Sequence, residues 1–184
     1  MSIRTDNRPS YTSFGLAWLM GYGALALDAG SDPITDLPGQ LPGILLAVGI
    51  AAALGVTCVS IMKAQRGVEG TAALQGTLSG AGWVVGFTAL FLLITSLEGF
   101  LAEHHVGTVL WPTGSALVVG LLYLLGGTIG RDLHQYALGV YLALVGGAAA
   151  FLGLTGMYAL LALAGAAGYF IAAAAERRRL AVAV

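Results

Sequence analysis

Few side chains in this sequence could do chemistry, and their placement is the first clue to what it does. The 184 residues include three histidines, one cysteine, nine acidic and eight basic residues. Glu103, His104 and His105 stand together. They could bind a metal weakly, but two adjacent imidazoles without a further fixed ligand do not define a tetrahedral site, and a solvated loop is the other reading. Histidines there could also respond to external pH, because an unperturbed imidazole titrates near about 6.5. His134 follows Arg131 and Asp132, a grouping that suits an interfacial hydrogen bond or a proton relay. Asp28 and Glu98 each close a long apolar run. They are either solvated helix ends or the rim of an acidic vestibule for protons or solutes.

Several function classes are then disfavoured. No serine has a base and an acid at matching depth, no His/Cys/Asp set has metal-ligand spacing, and no glycine loop precedes a lysine as a nucleotide site requires. The expectation is no enzyme, no cofactor and no metal. A primary pump would need a nucleotide site or a relay of carboxylates inside the membrane. A formal net charge of -1 gives no reason to expect nucleic acid as a partner. The lone Cys58 has no intramolecular disulfide partner and is expected to be a small buried residue.

What is left inside the apolar runs is neutral: Tyr22, Ser79, Trp83 and Tyr141 are the candidate solute-binding residues, with Thr57, Tyr123 and Tyr158 of the same type. Such groups ordinarily bond across helices or pack. A channel or carrier for a small, weakly polar solute also needs this lining, since hydroxyls and aromatic constrictions select without a buried charge.

The elements that must hold these groups follow from composition. Hydrophobic residues are 58% of the chain and charged residues 9%, against about 25% charged in soluble domains. A spanning helix needs about 20 apolar residues. Residues 11–28, 42–63, 74–97, 109–129, 133–152 and 156–175 meet that need, giving an all-α integral membrane bundle of six transmembrane helices. The tail 1–10 precedes the domain 11–176, and 177–184 follows it. Residues 11–30 imitate a secretory leader but are read as the first helix. The run 133–175 is too long for one span and must turn once, with Gly153-Leu154-Thr155-Gly156 as the best place.

Charge tests the count independently. The basic residues are Arg4, Arg8, Lys63, Arg66, Arg131, Arg177, Arg178 and Arg179, and with six helices all fall on one side. The opposite loops carry Asp28, Asp32, Asp36, Glu98 and Glu103 without a basic residue. Short basic loops stay cytoplasmic, so both termini are placed in the cytoplasm, and a bacterial inner membrane is the expected location.

Glycine, 28 residues in all, is about twice its usual share. Gly76 with Gly80, Gly82 with Gly86, and Gly126 with Gly130 form small-xxx-small pairs, joined by Gly146-Gly147 and the run from Ala162 to Gly168. They mark tight helix packing, a subunit interface or a glycine-lined solute path.

Three short stretches carry a resemblance. Phe14-Gly15-Leu16 leads to Leu19-Met20-Gly21-Tyr22-Gly23, Arg66-Gly67 to Ser79-Gly80-Ala81-Gly82-Trp83, and Gly156-Met157-Tyr158 to Tyr169-Phe170 and the alanines 172–175. In these the chain resembles the acetate uptake transporter family (succinate–acetate/proton symporters), with the urea/amide channels as a second choice. The resemblance implies a homo-oligomer, a hexamer of six-helix subunits, each with its own path for small monocarboxylates. It places the constriction at Tyr22, near Ser79 and near Tyr141.

The expected function is a transporter or channel for a small solute such as a short monocarboxylate, passing as or with a proton. The alternative is a non-transporting membrane subunit that scaffolds or regulates a partner complex. The charge pattern predicts that a cytoplasm-dependent reporter fused after Val184 is active and one inserted after Glu98 is not. The reverse result in a fusion assay would refute the orientation.

Overall fold

The computed structural model describes residues 6–30, 33–35, 37–101 and 106–182. Among them it is all-helical, with six helices and no strand. Helix α1 is Arg8–Asp28, α2 Leu41–Ala64, α3 Thr71–Phe100, α4 Val106–Gly130 and α5 Leu133–Ala149. The sixth helix is continuous but opens as α6, Leu154–Leu160, passes through a π-helical turn at Leu161–Gly165, and continues as α7, Ala166–Val182. Among the described residues four helices are long and apolar enough to cross a membrane: α2, α3, α4 and the sixth helix over Leu154–Ala181. The other two differ in kind. Helix α5 has 17 residues, and α1 carries polar residues such as Ser10, Tyr11, Thr12 and Ser13 in its first turns.

Local sequence accounts for the ends. Pro9 and Pro42 sit in the first turns of α1 and α2, where a missing N–H costs nothing. Asp132 caps α5 by accepting from the backbone N–H of His134 at 3.0 Å and of Gln135 at 3.1 Å. Arg131 before it takes a left-handed φ of 51°, a position that glycine usually fills. The Asp28 carboxylate accepts from the Leu37 N–H at 3.2 Å and so shapes the connection after α1.

Two boundaries depart from expectation. Helix α5 stops at Ala149, so the turn lies at residues 150–153, and Thr155 and Gly156 belong to the sixth helix. The Thr155 hydroxyl donates to the Ala29 carbonyl at 3.0 Å, which ties the start of α6 to the end of α1. At the other end α7 continues past Glu176 to Val182, because the expected tail is made of good helix formers. Residues Asp32, Asp36, Glu103, His104 and His105 lie outside the described residues.

The chain forms two compact units, residues 1–69 with 154–184, and residues 70–153. In the first, α1 is the hub, packing on α2 and on the sixth helix. A Cβ on Gly21 would lie 2.6 Å from Leu46 Cα, and one on Gly49 3.1 Å from Ala17 Cα. On its other side, Gly15 faces the Phe170 ring and Gly165 faces the Trp18 indole. Helix α2 buries only Pro42 and Ala53 and turns Ile44, Val48, Leu54, Val59 and Met62 outward. Cys58 is exposed on this helix, which corrects the expectation of burial. The single face of α2 that meets α1 runs through Leu46, Gly49 and Ala53, and Cys58 is not on it.

In the second unit α4 is the hub, packing on α3 and α5. The expected pair Gly82 and Gly86 does face α4, at Leu122 and Val118. The closest approaches lie elsewhere, between α4 and α5. A Cβ on Gly139 would stand 2.6 Å from the Gly120 carbonyl oxygen and 2.8 Å from Leu124 Cα, and one on Gly146 3.0 Å from the Thr113 carbonyl oxygen. Gly120 meets Ala143 and Gly127 meets Tyr136 in the same way. Backbones touch here, as small residues permit. Gly80 and Gly130, by contrast, face open space.

Gly139→Ala is expected to force α4 and α5 apart and to lower stability by ~1–3 kcal/mol, the usual cost of overpacking. Gly80→Ala meets nothing and is expected to be neutral or to gain up to about 1 kcal/mol of helix propensity. Denaturation of the two variants in detergent micelles, followed by circular dichroism, checks the contrast.

Candidate functional site

In the first unit, the aromatic residues of α1 and the sixth helix form one connected interior cluster. Tyr22 and Tyr158 stack with ring centres 6.2 Å apart, and Trp18 meets Tyr22 edge-on at 5.4 Å. Trp18 also meets Tyr169 edge-on at 5.4 Å, and Tyr169 stacks on Phe14 at 5.8 Å. All five rings are buried. The sequence builds this from spacing: Phe14, Trp18 and Tyr22 are four apart and share one face of α1. Glycines opposite leave the room, Gly165 for the Trp18 indole above all. The π-helical turn at Leu161–Gly165 falls between Tyr158 and Tyr169. Such turns carry one extra residue and are common at functional sites. The cluster is a packed apolar interior that carries phenol groups and no charge.

The expected site residues separate accordingly. Tyr22 is in the first unit; Ser79, Trp83 and Tyr141 are in the second. Trp83 is half-buried, stacked on Phe87 at 6.3 Å and edge-on to Tyr123 of α4 at 5.5 Å. Ser79, one turn earlier on α3, is exposed. Tyr141 of α5 is 37% exposed and lies off the face that Gly139, Leu142 and Gly146 turn to α4. The Thr57 hydroxyl oxygen of α2 is buried with no hydrogen-bond partner among the described residues.

A second polar cluster, at the ends of the first unit, was not anticipated. Glu176 is buried, 1% exposed, and forms an ion pair with Arg179 one turn on. It also accepts from the Asn7 backbone N–H at 3.5 Å, so a carboxylate faces the positive end of α1. Beside it Asp6 pairs with Arg8 at 2.8 Å. The hydrogen bond from the Arg8 side chain holds the Asp6 carboxyl below its ordinary pKa. In the sequence Glu176 merely closes the last apolar run, and its partner at the start of α1 lies 169 residues away, so no local pattern joins them. Its spacing from Arg179 was the available signal.

The remaining charged candidates sit at helix ends. Glu98 is exposed and its carboxylate lies against Gly107 in the first turn of α4, another acid at a helix N-terminus. His134 is half-exposed, its Nδ1 3.9 Å from the Asp132 carboxylate that caps α5. Comparison with known protein families, curated proteins and solved structures finds no match to this chain.

Glu176→Ala removes the ion pair and the carboxylate facing α1. It is expected to cost ~1–3 kcal/mol, as for a buried partner left unsatisfied, read as a lowered thermal midpoint in micelles. The Asp6 contribution has the sign of a depressed carboxylate. It is present above the unfolded value of 3.8 and is lost as pH falls through the lower folded value. Asp6→Asn should therefore lower stability uniformly across the neutral region, flatten the acid limb of the profile, and have least effect below the folded value.

Proposed function

We propose that this chain is a six-span integral membrane protein, with both ends in the cytoplasm, that conducts or carries a small solute such as a short monocarboxylate. The observation that carries the reading is the charge-free aromatic cluster of the first unit, with the Tyr22 and Tyr158 phenols stacked beside a π-helical turn. Phenol hydroxyls in an apolar wall can select a small solute by hydrogen bonding and size. They offer no countercharge for an anion, so a carboxylate crosses as its neutral acid. The apolar residues that α2 and α3 turn outward suit contact with lipid. The two helices outside the four long apolar spans, α1 and α5, are counted as crossing because six crossings place every basic residue on one side. Small-residue packing and exposed apolar faces also support assembly into a homo-oligomer.

Reconstitution into liposomes tests the function. Acetate uptake above empty vesicles should rise as external pH falls, following the neutral acid. Tyr22→Phe keeps the ring stack and loses the hydroxyl, and should slow uptake several-fold, as for one hydrogen bond of about 0.5–1.5 kcal/mol. Absence of uptake of acetate, urea and similar solutes would refute transport. A stoichiometric partner co-purifying with such an inert protein would favour the scaffold reading, with the broad free face of α2 as its contact.

A further inference from the structure

The two hub helices repeat one motif in one structural role. Helix α1 contains Gly15-Leu16-Ala17-Trp18-Leu19-Met20-Gly21, and α4 contains Gly114-Ser115-Ala116-Leu117-Val118-Val119-Gly120. Both read Gly-x-Ala-x-x-x-Gly, and both stand within one residue of the same distance from their helix starts at Arg8 and Val106. A shared spacing of small residues is common in glycine-rich helices, so the weight rests on what each position touches.

The contacts divide identically. In α1, Ala17 meets Gly49 and Gly21 meets Leu46, both on α2. In α4, Ala116 meets Gly146 and Gly120 meets Ala143, both on α5. The partners are three residues apart in each second helix and run in the opposite direction to the hub. The first glycine of each motif points elsewhere: Gly15 to Phe170 of α7 and Gly114 to Leu90 of α3. Each hub therefore has one edge for the helix that follows it and another edge for a helix from the other half of the chain. Taking α1–α2–α3 and α4–α5–sixth helix as halves, every major packing pair has its counterpart. α1 on α2 corresponds to α4 on α5, and α1 on the sixth helix corresponds to α4 on α3. Along the other edge of each hub a second contact runs antiparallel to the first: Gly165 of the sixth helix meets Trp18, and Gly86 of α3 meets Val118.

We infer that the chain is an internal duplication of a three-helix unit whose halves exchange their third helices, each completing its hub with the third helix of the other. The inference of inversion rests on the six-span reading. Three crossings separate α1 from α4, so the second half enters the membrane from the opposite side, as in the inverted repeats of secondary transporters. Exchange makes each half a structural partner of the other: the Gly15 edge of α1 is a docking surface for α7, and the Gly114 edge of α4 is one for α3.

The full-length chain with Cys58→Ser tests both parts. Four cysteine pairs occupy the corresponding positions: Ala17→Cys with Gly49→Cys, Ala116→Cys with Gly146→Cys, Gly15→Cys with Phe170→Cys, and Gly114→Cys with Leu90→Cys. With a short bifunctional thiol reagent in membranes, all four are expected to link, seen as chains that resist unfolding in gel shift. Failure of one member of a corresponding couple while the other links would overturn the duplication. For inversion, Asn7→Cys and Val106→Cys mark the equivalent starts of α1 and α4. A membrane-impermeant maleimide should label them from opposite sides of oriented vesicles, and labelling from one side would overturn the inversion. Neither readout involves solute, so a protein inert in the uptake assay could still pass both.

Discussion

Close approach of helix backbones at glycine and alanine is the interaction on which the rest of this structure depends. In a bilayer, apolar side chains gain little by leaving lipid for protein, so helices are held by van der Waals contact and by polar bonds between backbones that come near. Here the contacts concentrate on two hubs. Along α1 they fall at Ala17 and Gly21, along α4 at Ala116, Gly120 and Gly127, and the facing positions of α2 and α5 are Gly49, Gly139 and Gly146. Wherever a Cβ would intrude on backbone, the helix pair has no slack.

That close packing also decides where large side chains go. Helix α2 approaches its hub through a narrow face and leaves its bulk outside, with two buried residues, whereas α5 also buries Leu138, Leu142 and Val145. The space beside α1 is filled instead by rings, Phe14, Trp18 and Tyr22 from the hub and Tyr158 and Tyr169 from the sixth helix. The interior of the first unit is aromatic on the side of the sixth helix because Gly165 there makes room for the Trp18 indole and Gly15 for the Phe170 ring, whereas Leu46 and Gly49 of α2 meet the backbone of α1. Charge is kept to helix ends, where Asp132, Glu98 and Glu176 each face the start of a helix. Each carboxylate there meets backbone N–H groups or the positive end of a helix dipole.

The ends of the first unit add a constraint of a different kind. The buried Glu176 reaches Asn7 and Arg179, so the beginning of the first helix and the end of the last are joined by a carboxylate withdrawn from solvent. A buried carboxylate is tolerated only with such partners, and α7 must continue as helix past residue 176 to supply Arg179. Packing of α1 against the sixth helix through Gly15 and Phe170 therefore has a polar clasp beyond its apolar seam.

By itself the sequence determined the class of element, its number and its approximate limits. Apolar runs of the right length, Pro9 and Pro42 at helix starts, Asp132 before α5 and the segregation of basic residues are all local or compositional signals, and each has a direct physical cause. The pairs of glycines were also legible, but not which of them mattered. Gly80 and Gly130 face open space while Gly120 and Gly139 touch backbone, because a face becomes an interface only when a particular neighbour arrives at it. The same holds for Cys58, which is exposed because it lies off the face of α2 that packs on α1, and for Glu176, whose partner is at the far end of the chain. Of the candidate residues, Tyr22 and Trp83 lie in ring clusters, Ser79 is exposed and Tyr141 lies off its helix's packed face. The Gly-x-Ala-x-x-x-Gly motif stands in the sequence twice, yet only tertiary contacts give it meaning: in each hub the alanine and second glycine meet the helix that follows, and the first glycine meets another helix.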